Sequence, residues 1–299
     1  MDSTKQSIFN ASFEESINLE NDGFRKLQQE QHDKLARKVI NGKPTFSFKM
    51  QAFVLTLLFP VGFNYLLSLG ASKFTTNDLG ELKLQPASQN FFPWQVYVFL
   101  LSVWLLFVVI GKFFKSAFIL PYRYQFHNFT YMIILCIEAN LTLLGVLLSN
   151  LSIIFIVGYA FIWIFLLYFM TTTKVKALQK NMFNNNSEPR LQDRLAKIIG
   201  AYGMGVLGLA VILQRTLSIF LGNKLSSFED LGMLLLFLIW NILVPAVVIF
   251  IGTPYFLQAY YKLKYPEQYR KYEGKSLEEW YGKKYLKKHK FINGTYEQG

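Results

Sequence analysis

Residues 129–172 read FTYMIILCIEANLTLLGVLLSNLSIIFIVGYAFIWIFLLYFMTT, with one charged residue, Glu138. A helix rising 1.5 Å per residue needs about 20 apolar residues to cross a bilayer core of about 30 Å. This stretch is about twice that length, with Ser149, Asn150 and Leu151 at its middle. It therefore reads as two spans, 129–149 and 152–172, joined in a tight hairpin. Reading it as one span would move the C-terminus to the other side of the membrane, so this choice sets the parity of the whole chain.

Four more apolar runs lie outward from the hairpin, at 48–70, 93–113, 198–221 and 231–256. The expected fold class is all-α: a polytopic membrane helix bundle with six transmembrane helices. Its parts are a cytosolic arm at 1–47, a six-span domain at 48–256 and a basic aromatic tail at 257–299. Only 17% of residues are charged, against roughly 25% in soluble chains. The charges cluster between the runs. Segments 1–47, 112–128, 173–197 and 257–299 hold 7, 3, 6 and 10 lysines and arginines. Segments 71–92, 150–151 and 222–230 hold 2, 0 and 1. Basic residues stay on the cytoplasmic side, so both termini are expected in the cytoplasm of a plasma-membrane protein. The first 47 residues carry no short apolar core of the signal-peptide kind.

Enzyme signatures are missing. His32, His127 and His289 are far apart, and Cys136 is the only cysteine. No spacing suits a metal, and no cofactor or catalytic residue is expected. Glu273-Gly274-Lys275-Ser276 resembles the end of a phosphate-binding loop, but the required glycine five positions before Gly274 is Tyr269.

The informative positions are polar residues at membrane depth. Glu138 lies mid-span, and Arg215 lies in the outer half of the fifth span. Asn140, Gln214 and Asn241 lie at similar depths. A charge at the bilayer centre costs at least about 2.5–3.5 kcal/mol and persists by pairing, by facing a wet cavity or by serving function. A structural Glu138–Arg215 ion pair and a polar pathway both fit. Ala201, Gly205 and Gly208 give the fifth span a small-residue face for close helix packing or a dimer contact. Pro60 and Pro245 should each open a helix locally. The carbonyl freed near Asn241 would then face the polar cluster.

The tail carries Tyr261, Tyr265, Tyr269 and Tyr272 near helical spacing, interrupted by Pro266. Ser276-Leu277-Glu278-Glu279 reads as a capping box. It opens a helix with Leu277, Trp280, Tyr281 and Tyr285, then Lys283, Lys284, Lys287 and Lys288. Trp280 and these lysines are expected to rest on anionic lipid headgroups, and residues 276–299 to be dispensable for the fold. Five interspersed glutamates make nucleic acid a poor partner.

Leu58-Phe59-Pro60, Asn64-Tyr65 and the run from Thr75 to Glu81-Leu82 resemble the opening of the tandem-span membrane proteins of staphylococci and their relatives. One such family protects cells against a membrane-depolarising toxin exported by type VII secretion. The resemblance covers about 35 residues, with six spans here against five there, and implies no individual functional residue. It implies a non-enzymatic immunity protein that binds a membrane-active toxin within the bilayer. The alternatives are a small transporter or permease subunit, and a lipid-acting enzyme with Glu138 as acid or base.

Overall fold

The computed structural model describes residues 6–40, 43–76, 86–150, 153–183 and 240–288. They are mostly helical, with one two-residue antiparallel ladder, Val39–Ile40 (β1) on Lys43–Pro44 (β2). Five of the described helices are long and apolar enough to cross a membrane. They are Phe46–Lys73 (α3), Trp94–Gly111 (α4), the helix through Leu120–Asn150 (α5), Ile153–Phe183 (α6) and Trp240–Lys264 (α7). Helix α5 ends and α6 begins where the hairpin was expected. The expected span at 198–221, with Ala201, Gly205, Gly208, Gln214 and Arg215, lies outside the described residues, as does the start of the last one.

Apolar side chains point outward. Ile154 is 82% exposed and Phe161 70%, and none of the apolar window of α6 is buried inside the protein. A soluble protein would bury such residues; only lipid makes this surface stable. The chain is a multi-pass membrane protein.

The helices continue past the inner boundaries expected from hydropathy. Helix α5 starts at Leu120 rather than 129, α6 runs to Phe183 rather than 172, and α7 runs to Lys264. Their polar ends stay helical because they pack into a layer with the terminal segments. The N-terminal part contributes Phe13–Ile17 (α1) and Gly23–Arg37 (α2). The C-terminal part contributes Pro266–Tyr272 (α8), Leu277–Tyr281 (α9) and Lys283–Lys288 (α10). The rough helical spacing of Phe24, Leu27, Leu35 and Val39, between Gly23 and the breakers Gly42 and Pro44, predicts one short amphipathic helix in the arm, which is α2. It does not predict α1, which a capping box, Ser12 with Glu15, starts.

One core of this layer joins Ile8, Ala11 and Leu19 to Leu178, Met182, Leu257, Tyr261 and Tyr269. The tyrosines act as a clasp. Tyr261 donates to the Ile8 carbonyl at 2.6 Å and accepts from the Ala11 N–H at 3.0 Å. Tyr265 donates to the Ala11 carbonyl at 2.9 Å, Tyr269 pairs with the Ser16 hydroxyl at 2.9 Å, and Tyr272 donates to Glu20 at 3.3 Å. Thus the helical tyrosine spacing serves the N-terminal segment. Burial pushes the Tyr269 hydroxyl up from its ordinary pKa, opposed by its bond to Ser16.

Two expectations for the tail change. The capping box at Ser276 and Glu279 forms, but Gly282, at φ 86°, ends α9 after Tyr281, and a second short helix follows. Trp280 is only 2% exposed and stacks on Phe118 at 4.5 Å. It faces protein, so the lipid role expected of it and the dispensability of the tail are corrected. The sequence showed its amphipathic spacing but not the partner, which is 162 positions away. Gly274, at φ 62°, lets the Lys275 N–H reach the Arg270 carbonyl and its own N–H reach that of Lys271. This is a Schellman cap, the structural meaning of the segment that resembles a phosphate loop.

Candidate functional site

The three inner helices are ordered by their contacts. Tyr122 on α5 meets Tyr255 on α7, while Asn140 on α5 meets Asn241 on α7. Helices α5 and α7 are therefore antiparallel. Trp163 on α6 also meets Asn241, and Leu178 farther along α6 shares a core with Leu257, so α6 and α7 run parallel.

Pro245 decides the local chemistry. It lacks the N–H that would bond the Asn241 carbonyl four residues back. The helix widens into a π-segment at Val247–Gly252, and the freed carbonyl accepts the Trp163 indole N–H at 2.9 Å. The Asn241 side chain accepts from Asn140 Nδ2 at 2.9 Å, and Asn140 also donates to the Cys136 carbonyl at 2.7 Å. One asparagine beside one proline thus fastens three helices at membrane depth. Asn140 and Asn241 were foreseen. Trp163 was missed, although a mid-span indole needing an acceptor and a proline freeing one were both visible.

Pro60 also opens its helix, although the carbonyl that gains a side-chain donor there is not the one four residues before the proline. It sits inside the π-segment Leu57–Phe63 of α3, and the Tyr97 hydroxyl of α4 donates to the Val61 carbonyl there at 3.0 Å. Both proline expectations are met. π-segments recur at functional sites because they misalign the backbone and expose carbonyls.

Beside the Asn140–Asn241 pair, α5, α6 and α7 diverge around a groove of about 590 Å³. Its walls are apolar, including Ile137, Leu144, Ala160, Leu167 and Val248; Asn140, Asn241, Tyr159 and Trp163 also line it but present almost no polar surface to it. The volume falls within the roughly 300–1,000 Å³ of ordinary ligand pockets.

Glu138 does not join this pair. Two residues apart on a helix are about 200° apart around its axis, so Glu138 and Asn140 leave α5 on different faces. Glu138 has no exposure, and neither carboxylate oxygen has a hydrogen-bond partner among the described residues. It lies roughly 18 Å from the outer end of α5 at 1.5 Å per residue. Another polar contact, Tyr131 to Asn64 at 2.9 Å, joins α5 to α3. The single cluster read from depth alone is therefore two sites. Gln214 and Arg215, its other members, lie outside the described residues.

Of the tail lysines, Lys283 is exposed and pairs with Glu278 at 3.0 Å, and Lys287 is exposed. The side chains of Lys284 and Lys288 lie outside the described set. Compared with protein-family models, curated proteins and solved structures, the chain has no match in any of the three.

Proposed function

We propose that this chain is a six-span plasma-membrane protein with both termini in the cytoplasm. It acts without catalysis, taking an apolar helix of a membrane-active toxin into the groove between α5, α6 and α7. The groove carries the reading: its walls are almost wholly apolar and lie at membrane depth, where an apolar helix would find packing. The resemblance of the first span and loop to immunity proteins of type VII secretion toxins agrees with it.

The sixth span rests on parity. The N- and C-terminal segments pack on each other through the tyrosine clasp, so they share one side of the membrane. Five crossings would separate them, and a further crossing within 184–239 restores the match. The basic residues put that shared side in the cytoplasm.

The test fills the groove. Leu144→Trp and Ala160→Trp should abolish protection of cells expressing a depolarising toxin while leaving expression and melting temperature near normal. A photo-cross-linker at Ile137 should capture the toxin, and one at the lipid-facing Ile154 should not. Full protection by the filled variants would overturn the reading. So would Ile137 cross-links confined to this chain's own 198–221 segment.

One observation favours a second reading, a small transporter or permease subunit: the buried carboxyl of Glu138 at mid-membrane, without a hydrogen-bond partner among the described residues. Such residues mark ion and proton paths. Glu138→Gln would then abolish flux in liposomes, whereas toxin binding would survive it.

A further inference from the structure

The inner layer holds a second cavity, about 540 Å³, separate from the groove. One wall is α2, with Arg25, Gln29 and His32; the other carries Gln258, Lys262 and Lys275. Arg25 is 3% exposed. Its Nε donates to Gln258, and its guanidinium lies 5.4 Å from the centre of the Tyr255 ring. No carboxylate pairs with it among the described residues, and its Nη1 is buried without a partner. Three acids, Glu20, Asp33 and Glu273, line the cleft itself, and each of them, like Asp22 beside it, holds a partner other than Arg25. Asp22 caps α2 and pairs with Lys174 at 2.7 Å. Glu273 pairs with Lys262 at 2.6 Å, and Asp33 accepts from Gln29. Glu20 accepts from Tyr272 and Gln258. His32 stays neutral, through burial and then the charges of Lys262 and Arg25.

A buried guanidinium without a counter-charge is unfavourable unless an anion completes it. Two exposed lysines, Lys26 and Lys275, stand at the mouth of the cleft. We propose that the cleft binds a phosphate monoester or diester, with Arg25 as its anchor and Lys26 and Lys275 as its outer donors. The donor-only fork of arginine matches phosphate geometry, and the four cations lining the cleft, Arg25, Lys26, Lys262 and Lys275, outnumber its three carboxylates, Glu20, Asp33 and Glu273. Position adds to the case. Phe24, beside Arg25, packs 5.6 Å from Phe250 in the π-segment of α7, so the cleft opens next to the membrane. The phosphate comes from a lipid headgroup or from a soluble ester. The proposal uses none of the groove residues, so either reading can fail alone.

The full-length protein is melted in detergent with sodium glycerol 3-phosphate, against sodium chloride of equal ionic strength. It is also melted in nanodiscs of phosphatidylcholine with and without phosphatidylglycerol. Ligand that binds only the folded state raises the midpoint with concentration. A rise in the soluble arm assigns a free phosphate ester; a rise only in the phosphatidylglycerol arm assigns a headgroup. Arg25→Gln should lose the rise. Lys275→Gln, at an exposed position, should fold normally and weaken half-saturation roughly fivefold, as for one lysine at an anionic surface. Should Arg25→Gln not fold, Lys26→Gln with Lys275→Gln decides. No rise for the wild type in either arm, or an undiminished rise in the folded variants, overturns the proposal.

Discussion

Asp22 and Glu138 are both buried carboxylates, one in the inner layer and one in the spanning bundle. Asp22 accepts two backbone N–H groups at the start of α2 through one oxygen and the Lys174 ammonium through the other. Glu138 meets no donor among the described residues. The inner layer is built from polar helix ends and two terminal segments, so a buried acid there finds partners from several directions. In the bundle each helix brings one or two polar side chains, and rotation about the helix axis decides whether they meet. Asn140 meets Asn241; Glu138, two positions earlier, faces elsewhere.

The comparison breaks first at Asp22. Asp22→Ala removes the carboxylate paired with Lys174, whose side chain is 1% exposed, and removes a helix cap. Breaking a buried pair from one side costs about 3–5 kcal/mol. Unfolding in detergent should show that loss, and Asp22→Ala with Lys174→Met should recover part of it. A loss below about 1 kcal/mol, the value of an exposed pair, would make the pair dispensable and remove the contrast.

Glu138 should respond with the opposite sign. An unpartnered buried polar group costs about 1–3 kcal/mol, so Glu138→Met, of similar volume, should raise the melting temperature. A fall instead would mean that the carboxylate has a charged partner, and Arg215 is the first to test. In that case a cycle of Glu138→Gln and Arg215→Gln would show a double change smaller than the sum.

These two residues also mark what was legible in the sequence. Hydropathy located the five described helices of membrane length because lipid acts on each helix separately, and depth follows from counting residues. Azimuth does not follow, so Glu138 and Asn140 read as neighbours. Pro245 was legible in full, since a missing N–H there frees a known carbonyl at 241, whereas at Pro60 the opening was legible but not the Val61 carbonyl that Tyr97 meets. The inner layer was legible only in fragments: the capping box at Ser276, the tyrosine spacing and the amphipathic α2. Each lacked its partner, because the clasp joins Tyr261 to Ile8 across 253 positions. Hydropathy also ended the spans too early on the side of the terminal segments, because the polar turns of α5, α6 and α7 are held by packing rather than by lipid.

The two proline openings allow a finer comparison within the bundle. Trp163→Phe removes the indole donor from the Asn241 carbonyl beside the groove, and Tyr97→Phe leaves that of Val61 with one partner fewer. Each should cost about 1–2 kcal/mol. Only the change at Trp163 should also weaken toxin cross-linking from Ile137, since Trp163 lines the groove. Equal functional effects would mean that the groove is not the site.

A pH dependence separates the two regions again. Burial, then Lys262 and Arg25, hold His32 well below the ordinary histidine value of 6.5, and its Nδ1 lies 3.0 Å from the Tyr255 hydroxyl. The folded state keeps the ring neutral, while the unfolded chain takes up a proton near 6.5. Stability is therefore full above that value and falls as pH drops below it, by up to about 1.4 kcal/mol per pH unit, until the folded ring also titrates. Melting from pH 7.5 to 5.5 should show this slope, and His32→Gln should flatten it. An unchanged slope would assign the acid sensitivity to other groups.

The smallest effect is expected in the tail, where its two sides should behave differently. Trp280 belongs to the inner core, but Lys283 and Lys287 are exposed. The Lys283–Glu278 pair has side chains 60% and 49% exposed, and water and salt screen such a pair to little or nothing. Lys283→Gln with Lys287→Gln should therefore leave the melting temperature within about 0.5 kcal/mol of wild type. A lysine near an anionic surface contributes about 1 kcal/mol, so the same variant should lose preference for phosphatidylglycerol over phosphatidylcholine nanodiscs by up to roughly twice that. An unchanged preference with unchanged stability would leave these lysines no lipid contact. A large loss of stability would instead mean that α10 is fastened to the inner layer through its charges, and the division between a packed aromatic side and a free basic side would be gone.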